Sequence, residues 1–310
     1  MMMGGTELSM LHLRERVEVP DSVHLHLSVV DEAALSVSKR HVVWLHQSYD
    51  QPSVQNLPRV VDRLDHLVFV SHWQREQYRR YLLPGLSLEK TTVIRNAVAL
   101  PRDYPASHAE LRDSSVTRLI YSSTPFRGLD VLLDAMDLVR DDAIHLDVYS
   151  SMRVYGPSHA RLDSQFEHLY ERCRSDSRVT YHGSVDQTTL HRAFSRADAL
   201  AYPCTWEETS CITAMEAMTH GCLVVCSDIG ALPETTAGLA VTYTPGPRHA
   251  EQYARVLTDA VRGLRAGEYV GRLRAQVAYA RQAFSWHERA VEWDRFFDKY
   301  RRVKDSIWRI

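Results

Sequence analysis

The chain has 310 residues, more than one hydrophobic core usually serves, so two α/β domains of moderate size are expected. Hydrophobic residues at 45% and charged residues at 25% match globular usage and exclude a disordered or fibrous chain. The formal net charge is -2, with arginines spread among acids, so nucleic acid is not an expected partner and a small-molecule or sugar acceptor fits better.

In chain order, TELSMLHLRERV reads as a helix, followed by strands near HLHLSVV, HVVWLHQ, HLVFVS and TTVIRN, with a helix over WQREQYRRYL between the last two. This makes a small α/β domain over 1–100. The segment ALPRDYPASHAELRDSS is polar, carries prolines and lacks periodicity, so 101–116 reads as a linker. From Thr117 onward RLIYSS, IHLDVYS, RVTYHG, ALAYPC, CLVVCSD and LAVTYT read as strands. Between them LDVLLDAMDLVR, SQFEHLYERCR, TTLHRAFSRA and CITAMEAMTHG carry apolar residues at helical spacing, the pattern of a doubly wound parallel sheet over 117–284. Of the two last helices, YVGRLRAQVAYARQAF and SWHERAVEWDRFFDKYRRV, either caps the second sheet or crosses back to the first; 285–310 is set apart for that reason.

No apolar run approaches the roughly 18 residues of a membrane-spanning helix, and MMMGGTELSM lacks the regions of a signal peptide, so a cytoplasmic protein is expected. Cys173, Cys204, Cys211, Cys222 and Cys226 show no paired spacing, which points to buried thiols rather than zinc or disulfides. His24 and His26 share a strand face, but no acid or thiol stands at a matching spacing, so no metal site is expected.

Ligands of open parallel sheets bind beyond the carboxyl ends of strands. There the chain carries PCTWEETSCITAMEAMTHG, in which Glu208 and Glu216 enclose seven residues and Ser210–His220 reads as a helix capped by Thr209 or Ser210. Backbone amides at such a start suit a diphosphate over Thr209, Ser210, Cys211 and Ile212. Glu216, about 9 Å further along with its side chain leaning back, suits a ribose diol, and Glu208 faces the group beyond the phosphates. Taken alone the pair is equally a surface charge and a first-turn acid; its place after ALAYPC favours a ligand.

With these residues the sequence resembles the family-4 retaining glycosyltransferases of GT-B fold, whose second domain carries a strand, Pro-Ser, Glu-x7-Glu and Ala-Met-Ala-x-Gly; Cys204 stands where serine is common. STPFRGLDVLLDA, RVTYHGSVDQTTLHRAFSRADALAYPC, GCLVVCSDIGALPE, FVSHWQREQ and VIRNAV extend the likeness over roughly two thirds of the chain. The resemblance implies an α/β GT-B architecture, two Rossmann-like domains facing across a cleft, the first small and without its usual opening strand.

Carried over by position, Arg127 stands for the lysine that neutralises the donor diphosphate. Ser122 replaces an arginine common in the family, so the clamp falls to Arg127 with Ser122, Ser123 or Thr124. Gly4, Gly5 and Thr6 resemble the glycine loop, His182 lies in the donor-binding half, and His46 matches the histidine that faces the transferred sugar. Donor binding is thus assigned to Gly4, Gly5, Thr6, Ser122, Thr124, Arg127, His182, Thr209, Ser210, Cys211, Ile212 and Glu216, and catalysis to His46 and Glu208.

The implied reaction moves a hexose-type sugar from a UDP- or GDP-linked donor to a glycan or glycoconjugate hydroxyl with retained configuration. The chain holds no Asp-x-Asp, so a metal and any other cofactor are expected to be absent. The shortened first domain leaves open a non-catalytic nucleotide-sugar-binding subunit. The basic face of Arg75, Arg79 and Arg80 leaves open a macromolecular acceptor, DNA or protein, although a solvated helix face explains it equally. An epimerase or phosphorylase on the same plan is disfavoured by the Glu-x7-Glu helix and Arg127-Gly128.

Overall fold

The computed structural model describes residues 5–101 and 115–301, so Gly4 and most of the expected linker lie outside the described residues. The chain forms two compact units. Of the described residues, the smaller comprises 5–97, 208–210 and 284–301, and the larger comprises 98–101, 115–207 and 211–283.

The smaller unit runs through α1 (Gly5–Arg14), β1 (Val23–Leu27), β2 (Arg40–Leu45), α2 (Leu57–Val60), β3 (His66–Phe69), α3 (His72–Gln77) and β4 (Thr91–Val93). Its four strands are parallel in the order β1-β2-β3-β4. The unbroken apolar run of β2 reflects burial on both faces. Val42 and Trp44 enter one core with Leu13, Val68 and Ile94, while Val43 and Leu45 enter another with Leu57, Leu67, Phe69 and Tyr78. The Ser71 hydroxyl caps α3 by accepting the Gln74 amide at 2.9 Å. WQREQYRRYL is not one regular helix: α3 ends at Gln77 and a π-helical turn follows over Tyr78–Leu82.

The larger unit runs through β5 (Thr117–Ser122), α4 (Leu129–Leu138), β6 (Ile144–Tyr149), α5 (Glu167–Ser175), β7 (Val179–Tyr181), α6 (Gln187–Phe194) and β8 (Ala199–Tyr202). It continues through α7 (Ile212–Thr219), β9 (Leu223–Ser227), α8 (Leu232–Thr236), β10 (Val241–Tyr243), α9 (His249–Arg265) and α10 (Val270–Ala283). The six strands are parallel in the order β10-β9-β8-β5-β6-β7. The chain builds outward from β5 to β7, then returns to lay β8 on the other side of β5, which makes the β5/β8 boundary the switch point of the sheet. The 17-residue α9 is not among the elements expected; it buries Tyr253, Ala254, Leu257, Ala260 and Val261.

The final helix is α11 (Trp286–Arg301), and the two C-terminal helices part ways. α10 lies on the larger unit, where the buried Gln276 amide donates to the Cys222 carbonyl at 2.8 Å. α11 buries Trp293, Phe296 and Phe297 in the core that holds Trp44, with the Trp44 and Trp293 rings edge-on at 4.9 Å. All five cysteines are free and buried. No helix among the described residues is long and apolar enough to cross a membrane.

Candidate functional site

Two loops meet at the switch point of the larger unit. After β5, Ser122, Ser123 and Thr124 lead into a 3-10 turn over Pro125–Arg127, closed by Gly128 in the left-handed region at φ 101. After β8, Pro203–Trp206 pass directly against that turn. A Cβ placed on Gly128 would stand 2.2 Å from the Pro203 carbonyl oxygen, so only glycine permits this approach. The Thr205 hydroxyl donates to the Phe126 carbonyl at 3.3 Å, Ser123 and Tyr202 share a hydroxyl contact at 3.3 Å, and the Phe126 and Trp206 rings meet edge-on at 5.5 Å. Arg127 is thereby held beside the loop that feeds α7, its guanidinium over the Phe126 ring.

α7 begins two residues later than expected. Neither Thr209 nor Ser210 caps it; Cys211 occupies the N-cap in an extended conformation and makes no side-chain cap bond. The reason is that Glu208–Ser210 group with the smaller unit, which leaves Cys211 as the first residue that turns into the helix. The first-turn amides of Ile212 and Thr213 are therefore not taken by a capping side chain. Thr124 Oγ1 and Thr213 Oγ1 are buried without a hydrogen-bond partner. Glu216 is 6% exposed. Burial in this apolar helix pushes its pKa up to about 8. Ser122, Thr124, Arg127, Cys211, Ile212 and Glu216 all belong to the larger unit.

His182 stands elsewhere, at the end of the edge strand β7. It is exposed, stacked on Tyr149 at 4.3 Å and bonded to Asp147 at 2.7 Å. Beside it opens a cavity of about 330 Å³ lined by residues including Ser151, Arg153, Tyr181, His182 and Gly183.

The remaining expected site residues belong to the smaller unit. Gly5 and Thr6 open α1. His46 follows β2, its ring edge-on against Trp44 at 4.4 Å and both ring nitrogens buried without a partner. Burial holds its pKa down at about 3, so the imidazole is neutral at physiological pH. Glu208 is buried, the Ser210 hydroxyl is buried without a partner, and the Thr209 hydroxyl is committed to the His46 carbonyl at 2.7 Å. Thr209 can therefore offer an anion its amide, not its hydroxyl. Sequence reading missed Thr213 and Trp206. The first reads as helix interior, and nothing in the spacing of the second announces its ring contact with Phe126. Among the described residues no three His, Cys, Asp or Glu side chains gather as metal ligands.

Two parallel α/β sheets, the larger with two loops meeting at its switch point, give the chain the fold of the GT-B glycosyltransferases. Residues 115–261 match the family described as Glycosyl transferases group 1, which covers most of the larger unit. Among solved structures, the chain is similar to a sucrose-phosphate synthase from Thermosynechococcus elongatus, at 18% identity and TM-score 0.67, over 87% of this chain and 70% of that one. It is also similar to HepE from Anabaena in complex with UDP and glucose, at 16% identity and TM-score 0.68, over 95% and 81%. A third likeness is the pneumococcal O-GlcNAc transferase GtfA in complex with UDP and GlcNAc, at 12% identity and TM-score 0.66, over 95% and 60%. No curated protein matches the sequence.

Proposed function

We propose that the chain is a cytoplasmic, metal-independent, retaining glycosyltransferase that moves a hexose-type sugar from a UDP- or GDP-linked donor to a hydroxyl of a glycan or glycoconjugate. The observation that carries this reading is the buried Glu216 carboxyl within α7, a helix whose N-cap Cys211 makes no side-chain cap bond. A carboxylate accepting two hydroxyl donors holds a ribose diol, and the amides of Cys211 and Ile212 with Ser122, Thr124 and Arg127 hold the diphosphate. The base extends toward the cavity beside His182. That HepE and GtfA are described with UDP bound supports a uridine donor first.

Charge on the departing diphosphate is the main quantity the protein must stabilise, and fixed amides with a guanidinium do so without reorganising. Glu208 and His46 face the transferred sugar, and the neutral imidazole of His46 offers one N–H and one lone pair to its hydroxyls. Gly5 and Thr6, which open α1, are proposed to face the phosphate or acceptor. The departing phosphate oxygen accepts the proton of the acceptor hydroxyl as that hydroxyl attacks from the same face.

Calorimetric titration with UDP and GDP, followed by turnover of the matching nucleotide sugars, tests this. Arg127→Ala is expected to weaken nucleotide binding by about 10- to 100-fold, the worth of one charge-assisted pair. EDTA is expected to leave turnover unchanged. Strong inhibition by EDTA would refute metal independence, and binding without turnover would identify a non-catalytic subunit.

A further inference from the structure

Ser28 has no role in the site described so far, yet it is one of two non-glycine residues among those described with positive φ, the other being Ala237. It directly follows β1, is 2% exposed and has φ 62, a conformation that residues with a Cβ rarely adopt. In that conformation its amide donates to the Trp44 carbonyl at 2.8 Å, and its hydroxyl accepts the His46 amide at 3.2 Å. The next peptides are held by side chains as well. The Thr209 hydroxyl donates to the His46 carbonyl at 2.7 Å. The wholly buried Gln74 amide donates to Leu45 at 3.2 Å and Gln47 at 2.8 Å, and the Tyr78 hydroxyl donates to Gln47 at 3.1 Å.

Beyond the end of β2, then, the backbone of His46 is fixed at both its N–H and its C=O by hydroxyls, while its imidazole has no hydrogen-bond partner at either nitrogen. Buried polar atoms are ordinarily paired, and backbone strain concentrates where a side chain must be aimed. We propose that Ser28 is a positioning residue: its left-handed backbone and its hydroxyl set the His46 peptide so that the imidazole is presented to the sugar of the donor. This rests on the reading of His46 as a sugar-facing group.

The test is a double-mutant cycle of Ser28→Ala and His46→Ala in the full chain, with Ser28→Asn as the conservative variant, since asparagine tolerates the left-handed region and brings an acceptor oxygen. Turnover uses whichever of UDP-glucose, UDP-galactose, UDP-N-acetylglucosamine and GDP-mannose the wild type hydrolyses fastest. UDP affinity and the NMR line widths of the histidine imidazoles are measured alongside. Ser28→Ala is expected to lower kcat about 10- to 100-fold with KM and UDP affinity nearly unchanged, the size of effect that small misplacements produce. It is also expected to broaden the His46 resonances, to be largely rescued by Ser28→Asn, and to have no further effect once His46 is alanine. A loss of equal factor in the presence and absence of His46, or one that follows UDP affinity, overturns the proposal. An unchanged rate in His46→Ala removes the reading of His46 and this proposal with it. A lowered rate in His46→Ala beside an unchanged rate in Ser28→Ala removes the proposal alone.

Discussion

Glu216 links burial to chemistry most directly. Its carboxyl ionises near 8 when folded and near 4.5 when free, because the apolar face of α7 disfavours the charge. Between those values the folded chain holds a proton that the unfolded chain has shed, so this group makes stability fall as pH rises from about 4.5 to about 8 and level off above. Glu216→Gln is expected to flatten that fall, read as thermal denaturation midpoints across the same interval. Two ribose hydroxyls, by contrast, demand the ionised form. UDP affinity of the native chain is therefore expected to rise toward pH 8, by at most about tenfold per pH unit, and the glutamine variant should bind weakly with a flat profile. A native profile without slope would separate Glu216 from the nucleotide. The sequence announces Glu216 through its spacing from Glu208 and its place after a strand. It does not announce that the carboxyl is buried, which depends on what packs around the helix.

At the scale of elements, the β5–α4 turn and the β8–α7 loop meet at the switch point of the sheet rather than at its edge. Gly128 lets one loop lie against the other, and the Thr205 and Ser123 hydroxyls tie them. Gly128→Ala combines a left-handed backbone with a Cβ 2.2 Å from a carbonyl oxygen, so it is expected to cost about 3 kcal/mol. That corresponds to a fall of roughly 6–12 °C in Tm for a unit of this size, measurable by calorimetry. A shift under a degree would mean the two loops separate at little cost. The glycine is visible in the sequence as part of Arg127-Gly128; the carbonyl it must admit is not. The same limit explains the displaced start of α7. Thr209 and Ser210 are strong capping residues by type, but the backbone carries them to the smaller unit and Cys211 begins the helix.

For the whole molecule, the division of labour between the last two helices decides how the smaller unit is completed. Four strands and α1 cannot cover Val42, Trp44 and Val68 alone; Trp293, Phe296 and Phe297 of α11 finish that core. Trp293→Ala is expected to destabilise the smaller unit by about 3–5 kcal/mol. Nucleotide binding, which we propose rests on the larger unit, should be affected far less than the unfolding midpoint followed by histidine and tryptophan signals of the smaller one. Equal loss of both would show that the units do not unfold separately.

The alternation of apolar strands with amphipathic helices determined the α/β class, the parallel sheets and nearly every strand, because the periodicities of 2 and 3.6 residues are local properties of the backbone. Residue type and spacing singled out Glu208 and Glu216 as candidates, and the family resemblance singled out Arg127. Only the tertiary structure decided that α10 and α11 serve different units, that Thr209 bonds the His46 carbonyl, and that Gly128 abuts Pro203. Those facts join residues far apart along the chain. A contact of that kind depends on the shape of both partners, which neither local segment encodes.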